Sequence, residues 1–193
     1  RLIGRLLRAV GLRANGEFVE ISRTDIASEY NSGECIQKMK GFIDRANGGV
    51  LFVDEAYLLA DGEWLRGALE TLMKEMEDKR ATLTVIFAGY EEQMQRLWQV
   101  NPGFKSRIPE NNWFRFPDYS IAELVEIFER MAIRKFGNID DSVVKAATLF
   151  ITAEYKRGRC GNARGIRNLL EEVAHRVNED FAKTVSVKHI PEP

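Results

Sequence analysis

The sequence has little of what marks several function classes. It has two cysteines, Cys35 and Cys160, far apart in the chain. They form neither a metal-binding spacing nor a disulfide framework, which fits a reducing compartment. It has two histidines, His175 and His189. Neither has a partner at metal or catalytic spacing. His175 reads as a helix-surface residue and His189 as part of a loose tail. No apolar run approaches the length needed to cross a membrane. The net charge is −1 and no long block carries one sign, so no global field draws the chain to nucleic acid or to a membrane surface. A phosphate loop of the form Gly-x-x-x-x-Gly-Lys-Ser/Thr is also missing from the 193 residues. The glycines at 4, 11 and 16 are not followed by Lys-Ser or Lys-Thr.

What is present is an acidic strand. Residues 48–59 read Gly-Gly-Val-Leu-Phe-Val-Asp-Glu-Ala-Tyr-Leu-Leu. Val50 to Val53 are uninterrupted apolar residues, the pattern of a strand covered on both faces in a parallel sheet. Two carboxylates come directly after, Asp54 and Glu55. Ligands of open α/β sheets lie at the carboxyl ends of the strands. Asp54 is therefore a candidate for holding Mg²⁺, and Glu55 for orienting or deprotonating an attacking water. The plain structural alternative is a buried strand ending in two solvated acids.

The surrounding pattern alternates. Residues 2–12 have helical apolar spacing, with Gly11 as a stop and a turn near Gly16. A short strand is expected at 17–21. Ser22 to Asp25 starts a helix, which Asn31, Ser32 and Gly33 interrupt and which resumes through Ile36, Met39 and Ile43. Strands are expected at 49–53, 82–87 and 113–116, and helices at 64–78 and 91–98. A loop at 101–103 leads to Arg107, placed in a loop before the last strand. From Ser120 onward only helices are expected, at about 120–135, 141–156 and 162–183. The first opens with the capping pattern Ser120-Ile-Ala-Glu123. Strands alternating with helices and then helices alone predict an α/β domain followed by a small helical domain.

Other candidate residues divide between functional and bland readings. Arg107 is either a guanidinium that stabilises a transferring phosphoryl group or a surface arginine. Arg164, in Gly-Asn-Ala-Arg-Gly-Ile-Arg (161–167), is either an anion ligand at a helix start or a solvated side chain. Arg167 comes one turn later. Tyr90 follows the third strand in Ala-Gly-Tyr, also at a carboxyl end, and faces a ligand or packs. Tyr30 grips an extended peptide from a loop or folds back onto the core.

Taken in order, these segments resemble the AAA+ ATPases, and among them the CbxX/CfqX family. That family includes red-type Rubisco activases and ATPases of sporulation and type VII secretion. The resemblance rests on 48–57, Glu-Thr-Leu-Met-Lys-Glu-Met-Glu (70–77), Ala-Gly-Tyr (88–90), Asn-Pro-Gly-Phe-Lys-Ser-Arg-Ile (101–108), Phe-Pro-Asp-Tyr (116–119) and 161–168. It implies a parallel-sheet nucleotide-binding domain over 1–117, incomplete at its N-terminus, a helical lid over 118–184 and a tail over 185–193. It implies ATP and Mg²⁺ as cofactors, with Asp54 and Glu55 as the Walker B pair, Arg107 as arginine finger, Arg164 as sensor 2 and Tyr90 at the sensor 1 position. Tyr30 falls at the pore-loop aromatic, although Asn31-Ser32-Gly33 comes after it where the family has Ile-Gly.

The implied function is ATP-driven remodelling of a protein substrate by a ring, a hexamer in this family, in the cytoplasm or an organelle stroma or matrix rather than outside the cell. No membrane or nucleic-acid partner is expected, and a DNA-acting member such as a clamp loader is the weaker reading. The resemblance starts just after the phosphate loop. The strand before that loop belongs between 82–87 and 113–116, so both would flank a gap. The expectation is that residues 1–193 are not an autonomous fold or active alone, and that the strand and loop come from upstream residues or another chain. The alternative from another class is a degenerate module that completes a ring or binds partners without hydrolysing ATP.

Overall fold

The acidic strand β2, Val50–Val53, lies in the middle of a three-stranded parallel sheet of order β1-β2-β3, between β1, Phe18–Ile21, and β3, Thr84–Phe87. The computed structural model describes residues 2–14, 17–28, 31–100, 103–180, 182 and 184–192, apart from the side chains of Arg96, Val100 and Lys105. The register runs Phe18↔Val50↔Thr84 to Ile21↔Val53↔Phe87. Val50 and Leu51 are both fully buried. Successive strand residues point to opposite faces, so β2 is covered on both. That is why its sequence is a continuous apolar run.

Helices supply the cover. Asn31 caps α3, Ser32–Ala46, by accepting from the Glu34 N–H at 2.7 Å. The expected interruption at 31–33 is therefore a helix start. Before it, α2, Arg23–Ile26, has its own cap, with the Ser22 N–H donating to Asp25 Oδ2 at 2.7 Å. α4, Glu63–Asp78, packs on α3. Their apolar stripes, Cys35, Met39 and Ile43 against Leu65, Leu69 and Leu72, join the inner face of the sheet in one core. α5, Glu91–Val100, and the five-residue α6, Gly103–Arg107, add Leu97 and Phe104 to it.

The outer edge of β3 differs. The Thr84 N–H donates to Gly49 O, the Ala88 N–H to Val53 O, and Thr82 O accepts from the Gly48 N–H, all toward β2. Val85 and Phe87 therefore turn their backbone groups the other way, where no described strand pairs with them. Every β3 residue is only half-buried, although the sequence Thr-Val-Ile-Phe is nearly as apolar as β2. Arg13 reaches the start of this strand, donating to Thr84 Oγ1 at 2.7 Å and Leu83 O at 3.1 Å. α1, Leu2–Ala9, is shorter than the expected 2–12 and exposes Leu2, Ile3 and Leu6.

The strand expected at 113–116 does not form. A strand exists through its ladder, and no described strand lies beside this segment. Instead Trp113 stacks on Trp98 at 5.3 Å between centroids, and its indole N–H donates to Ile108 O at 3.0 Å. Phe114 and Phe116 are exposed.

The chain divides into two compact units, Arg1–Trp113 and Phe114–Pro193. The second is built on α7, Ile121–Phe136, α8, Asp141–Lys156, and α9, Asn162–Glu179. Each buries a stripe at helical spacing: Leu124, Phe128 and Ala132; Val143, Ala147 and Ile151; Ile166, Leu169, Leu170, Val173 and Val177. The expected box opens α7: Ser120 N–H and Oγ–H donate to Glu123 Oε2 at 2.8 and 2.7 Å. His189 is not in a loose tail. It is 1% exposed, its Nδ1 accepts from the Ser186 N–H at 2.9 Å, and its Nε2 lies 3.0 Å from Asp180 Oδ2. Val185 and Ile190 bury beside it, because apolar residues there complete the helical core.

Candidate nucleotide site at the strand ends

The hydrogen-bond ladder continues past the strands and fixes the segments just beyond them. The Asp54 N–H donates to Ile21 O at 2.8 Å, and the Ala56 N–H to Ala88 O at 2.9 Å. The ends of all three strands are thus tied together around Asp54 and Glu55. Glu55 has φ 47° and ψ 45°, the left-handed region. For a residue with a side chain this costs about 1–3 kcal/mol, and such strain concentrates at functional sites. The geometry turns the chain from β2 into a tight helical turn, Ala56–Ala60, whose Ala56, Tyr57 and Leu59 are buried. Both acids remain exposed at the turn. Asp54 Oδ1 accepts from the Glu55 N–H at 3.0 Å.

Tyr57 is buried at 8% exposure, yet its hydroxyl donates to Glu55 Oε1 at 3.1 Å. Burial first, and then the Glu55 carboxylate, push its phenol above its ordinary range. Gly89, two residues past the end of β3, makes room for the ring: a Cβ there would lie 2.9 Å from Tyr57 Cδ1 and 2.9 Å from Met94 Sδ. Tyr90 comes next and is 67% exposed. Asp54, Glu55, Tyr57 and Tyr90 therefore gather at the carboxyl end of the sheet.

Arg107 does not join them. It ends a short helix, α6, rather than lying in a loop, and Nη1 donates to Gly103 O at 3.1 Å. Its side chain is exposed and lines a cavity of about 360 Å³ with Glu70, Met73, Lys74, Glu77 and Asp78 of α4. Arg164 is exposed in the first turn of α9, in the second unit. Gly161 and Asn162 before it have φ 64° and 56°. The Asn162 amide donates to Asp118 Oδ1 at 2.7 Å and its Oδ1 accepts from the Tyr119 N–H at 3.2 Å. This ties the Phe-Pro-Asp-Tyr segment to the helix that carries Arg164. Gly165 is required there, because a Cβ would lie 1.6 Å from Cys160 O. Tyr30 lies outside the described residues. Tyr57, Gly89 and Asn162 stand in the segments that carry the resemblance, but nothing in the sequence shows the contacts that they make.

The acidic edge suits a magnesium nucleotide by its donors. Mg²⁺ takes oxygen ligands and is commonly held by one or two carboxylates together with substrate phosphates, and the exposed Asp54 supplies one, with the Glu55 carboxylate beside it. No cluster of three or more metal-ligating side chains occurs among the described residues, so the edge does not resemble an all-protein metal cage. Among those residues, no helix is long and apolar enough to cross a membrane.

A family model for ATPases associated with various cellular activities (AAA) matches residues 5–115, and one for the AAA lid domain matches 120–190. The chain is 37% identical over 178 residues to a chloroplastic ribulose bisphosphate carboxylase/oxygenase activase of Cyanidioschyzon merolae, with 90% of this chain and 57% of the relative covered. It is 35% identical over 178 residues to the stage V sporulation protein K of Bacillus subtilis, covering 89% and 54%. It is 37% identical over 170 residues to protein CbbX of Cereibacter sphaeroides, covering 86% and 54%. The chain thus spans a little over half the length of these curated relatives. Among solved structures, the Thermotoga maritima RuvB Holliday junction branch migration motor matches with a TM-score of 0.60 at 18% identity. It covers 90% of this chain and 50% of RuvB, a likeness of fold alone.

Proposed function

The chain belongs to the AAA ATPase family, with its relatives in the CbxX/CfxQ group, and from that premise we propose that it forms most of an ATP-hydrolysing module that remodels a protein substrate. The observation that carries the proposal is the pair Asp54–Glu55, held exposed at the joined carboxyl ends of three parallel strands. Asp54 would hold Mg²⁺, which when bound neutralises charge on the phosphates. Glu55 would accept the proton of the attacking water. Tyr90, exposed beside them, would contact the nucleotide.

Arg107 lines a cavity with Glu70, Glu77 and Asp78 of α4 and makes no hydrogen bond or ion pair with Asp54 or Glu55, as suits a residue acting on a neighbouring subunit. In a ring, a hexamer by family habit, it would stabilise phosphoryl charge in the next subunit's site. Arg164 would couple the helical unit to the γ-phosphate, and Tyr30 would touch substrate in the pore. The apolar, half-buried edge of β3 would pair with a strand from outside residues 1–193, upstream or on another chain, that also brings the phosphate loop.

The test is steady-state ATP hydrolysis by the full-length protein with and without Mg²⁺. Magnesium-dependent turnover is expected, and its absence would overturn the proposal in favour of an inert ring-completing module. Arg107→Ala is expected to lose turnover with nucleotide affinity largely kept. Mixing Arg107→Ala with Glu55→Gln subunits should restore part of the activity if sites are shared between neighbours.

A further inference from the structure

Glu55 is exposed, and nothing in its own side chain fixes where its carboxylate points. One contact does. The Tyr57 hydroxyl donates to Glu55 Oε1 at 3.1 Å. We propose that Tyr57 is a positioning residue for Glu55, holding the carboxylate in the orientation from which it takes a proton from the attacking water. This rests on the reading of Glu55 as the base and adds to it a residue with no assigned role.

Three observations carry the assignment. First, the donor is anchored. Tyr57 is 8% exposed and sits in the turn Ala56–Ala60, so its ring cannot follow a wandering carboxylate. Second, the backbone is bent to make the contact. The left-handed φ of 47° at Glu55 reverses the chain, so the residue two positions on returns beneath the carboxylate. In an extended strand, residues two apart share a face but are separated by nearly 7 Å along the chain. Third, the neighbouring strand end leaves room for the ring. Gly89 has no Cβ, and one placed there would lie 2.9 Å from Tyr57 Cδ1. A buried tyrosine whose hydroxyl had only to be satisfied could use a backbone carbonyl. This one donates to the exposed carboxylate beside the proposed metal ligand.

The consequence is kinetic. At 3.1 Å the bond is long for a charge-assisted one, so its part is to orient the carboxylate, and misplacement of a catalytic group by about an ångström is enough to slow a proton transfer. Tyr57→Phe keeps the ring and its packing and removes only the donor. In the full-length protein it is expected to lower kcat for ATP about ten-fold, while KM for Mg-ATP and the Kd of a non-hydrolysable ATP analogue stay within about two-fold and Tm is unchanged. Gly89→Ala, which crowds the same ring, should lower kcat in the same direction.

Glu55→Gln measured alongside separates the role of the base from the role of its support. If Glu55→Gln abolishes turnover and Tyr57→Phe turns over like wild type, the positioning role is wrong and the reading of Glu55 stands. If Tyr57→Phe lowers kcat together with nucleotide affinity and Tm, Tyr57 is a packing residue only, and the proposal fails. If Glu55→Gln itself hydrolyses ATP at the wild-type rate, the base is misassigned and the positioning role falls with it.

Discussion

The two units bury their apolar residues to different degrees. In Phe114–Pro193, three helices and the segment around His189 close over one core, and the buried stripes keep helical spacing throughout. In Arg1–Trp113, the central strand β2 is as well covered, but β1, at one edge, leaves Glu20 exposed, β3, at the other, has only half-buried residues and no described strand on its outer side, and α1 presents Leu2, Ile3 and Leu6 to solvent. Apolar surface left at a sheet edge invites pairing with another segment. The difference teaches that the buried stripes of the helical unit find their cover among its own residues, although Phe114 and Phe116 stay exposed, whereas the outer side of β3 has no described strand against it.

The largest effects should come from the two cores. Phe104 and Phe128 are both fully buried, one in each unit. Phe→Ala at either is expected to cost about 3–5 kcal/mol. Hydrogen exchange should show lost protection for Phe128→Ala across α7–α9, and for Phe104→Ala across the sheet and its helices. Loss spreading evenly over both units would break the contrast.

Next comes His189→Ala. It removes the acceptor of the Ser186 N–H and the partner of Asp180 in a buried setting, and such a loss costs about 1–3 kcal/mol. Thermal unfolding tracked by helical signal should show it, and an unchanged midpoint would mean that this closing segment adds nothing. Ser120→Ala should cost about 1 kcal/mol through the lost cap of α7, read by the same measurement.

The smallest effect is with pH. The Ser120 backbone N–H and hydroxyl hold the Glu123 carboxyl below its ordinary value of 4.5, and Lys188, then His189, hold Asp180 below 3.8. Carboxyls lowered in the folded state contribute stability that is fully present above their ordinary values and lost as pH falls through the lowered ones. The midpoint of the helical unit should therefore be flat from neutral pH to about pH 5 and fall below it. In Ser120→Ala that acid slope should be shallower.

The parts legible in the sequence were those set by local pattern. Val50 to Val53 read as a covered strand because four apolar residues have no exposed face to spare. The lid helices read from their stripes, and Ser120 with Glu123 from the chemistry of a cap. The parts not legible depend on partners far along the chain. Trp113 to Phe116 has the aromatic content of a strand, but no described strand stands beside it. α6 is five residues long, too short for a helical period to show. His189 is a lone histidine whose burial is decided by Asp180 and Ser186 rather than by its neighbours' pattern. At the site, Asp54, Glu55 and Tyr90 were legible as strand ends. The role of Tyr57 depends on the left-handed turn at Glu55, which no propensity announces for a glutamate.

The central claim is that the exposed acids at the joined strand ends work on a triphosphate. Its most direct test is ATP turnover by the full-length Glu55→Gln variant, with nucleotide binding measured on the same preparation. The account predicts binding close to wild type and turnover reduced at least about a hundred-fold, within the range for loss of a general base. Turnover near wild type with binding intact would contradict it.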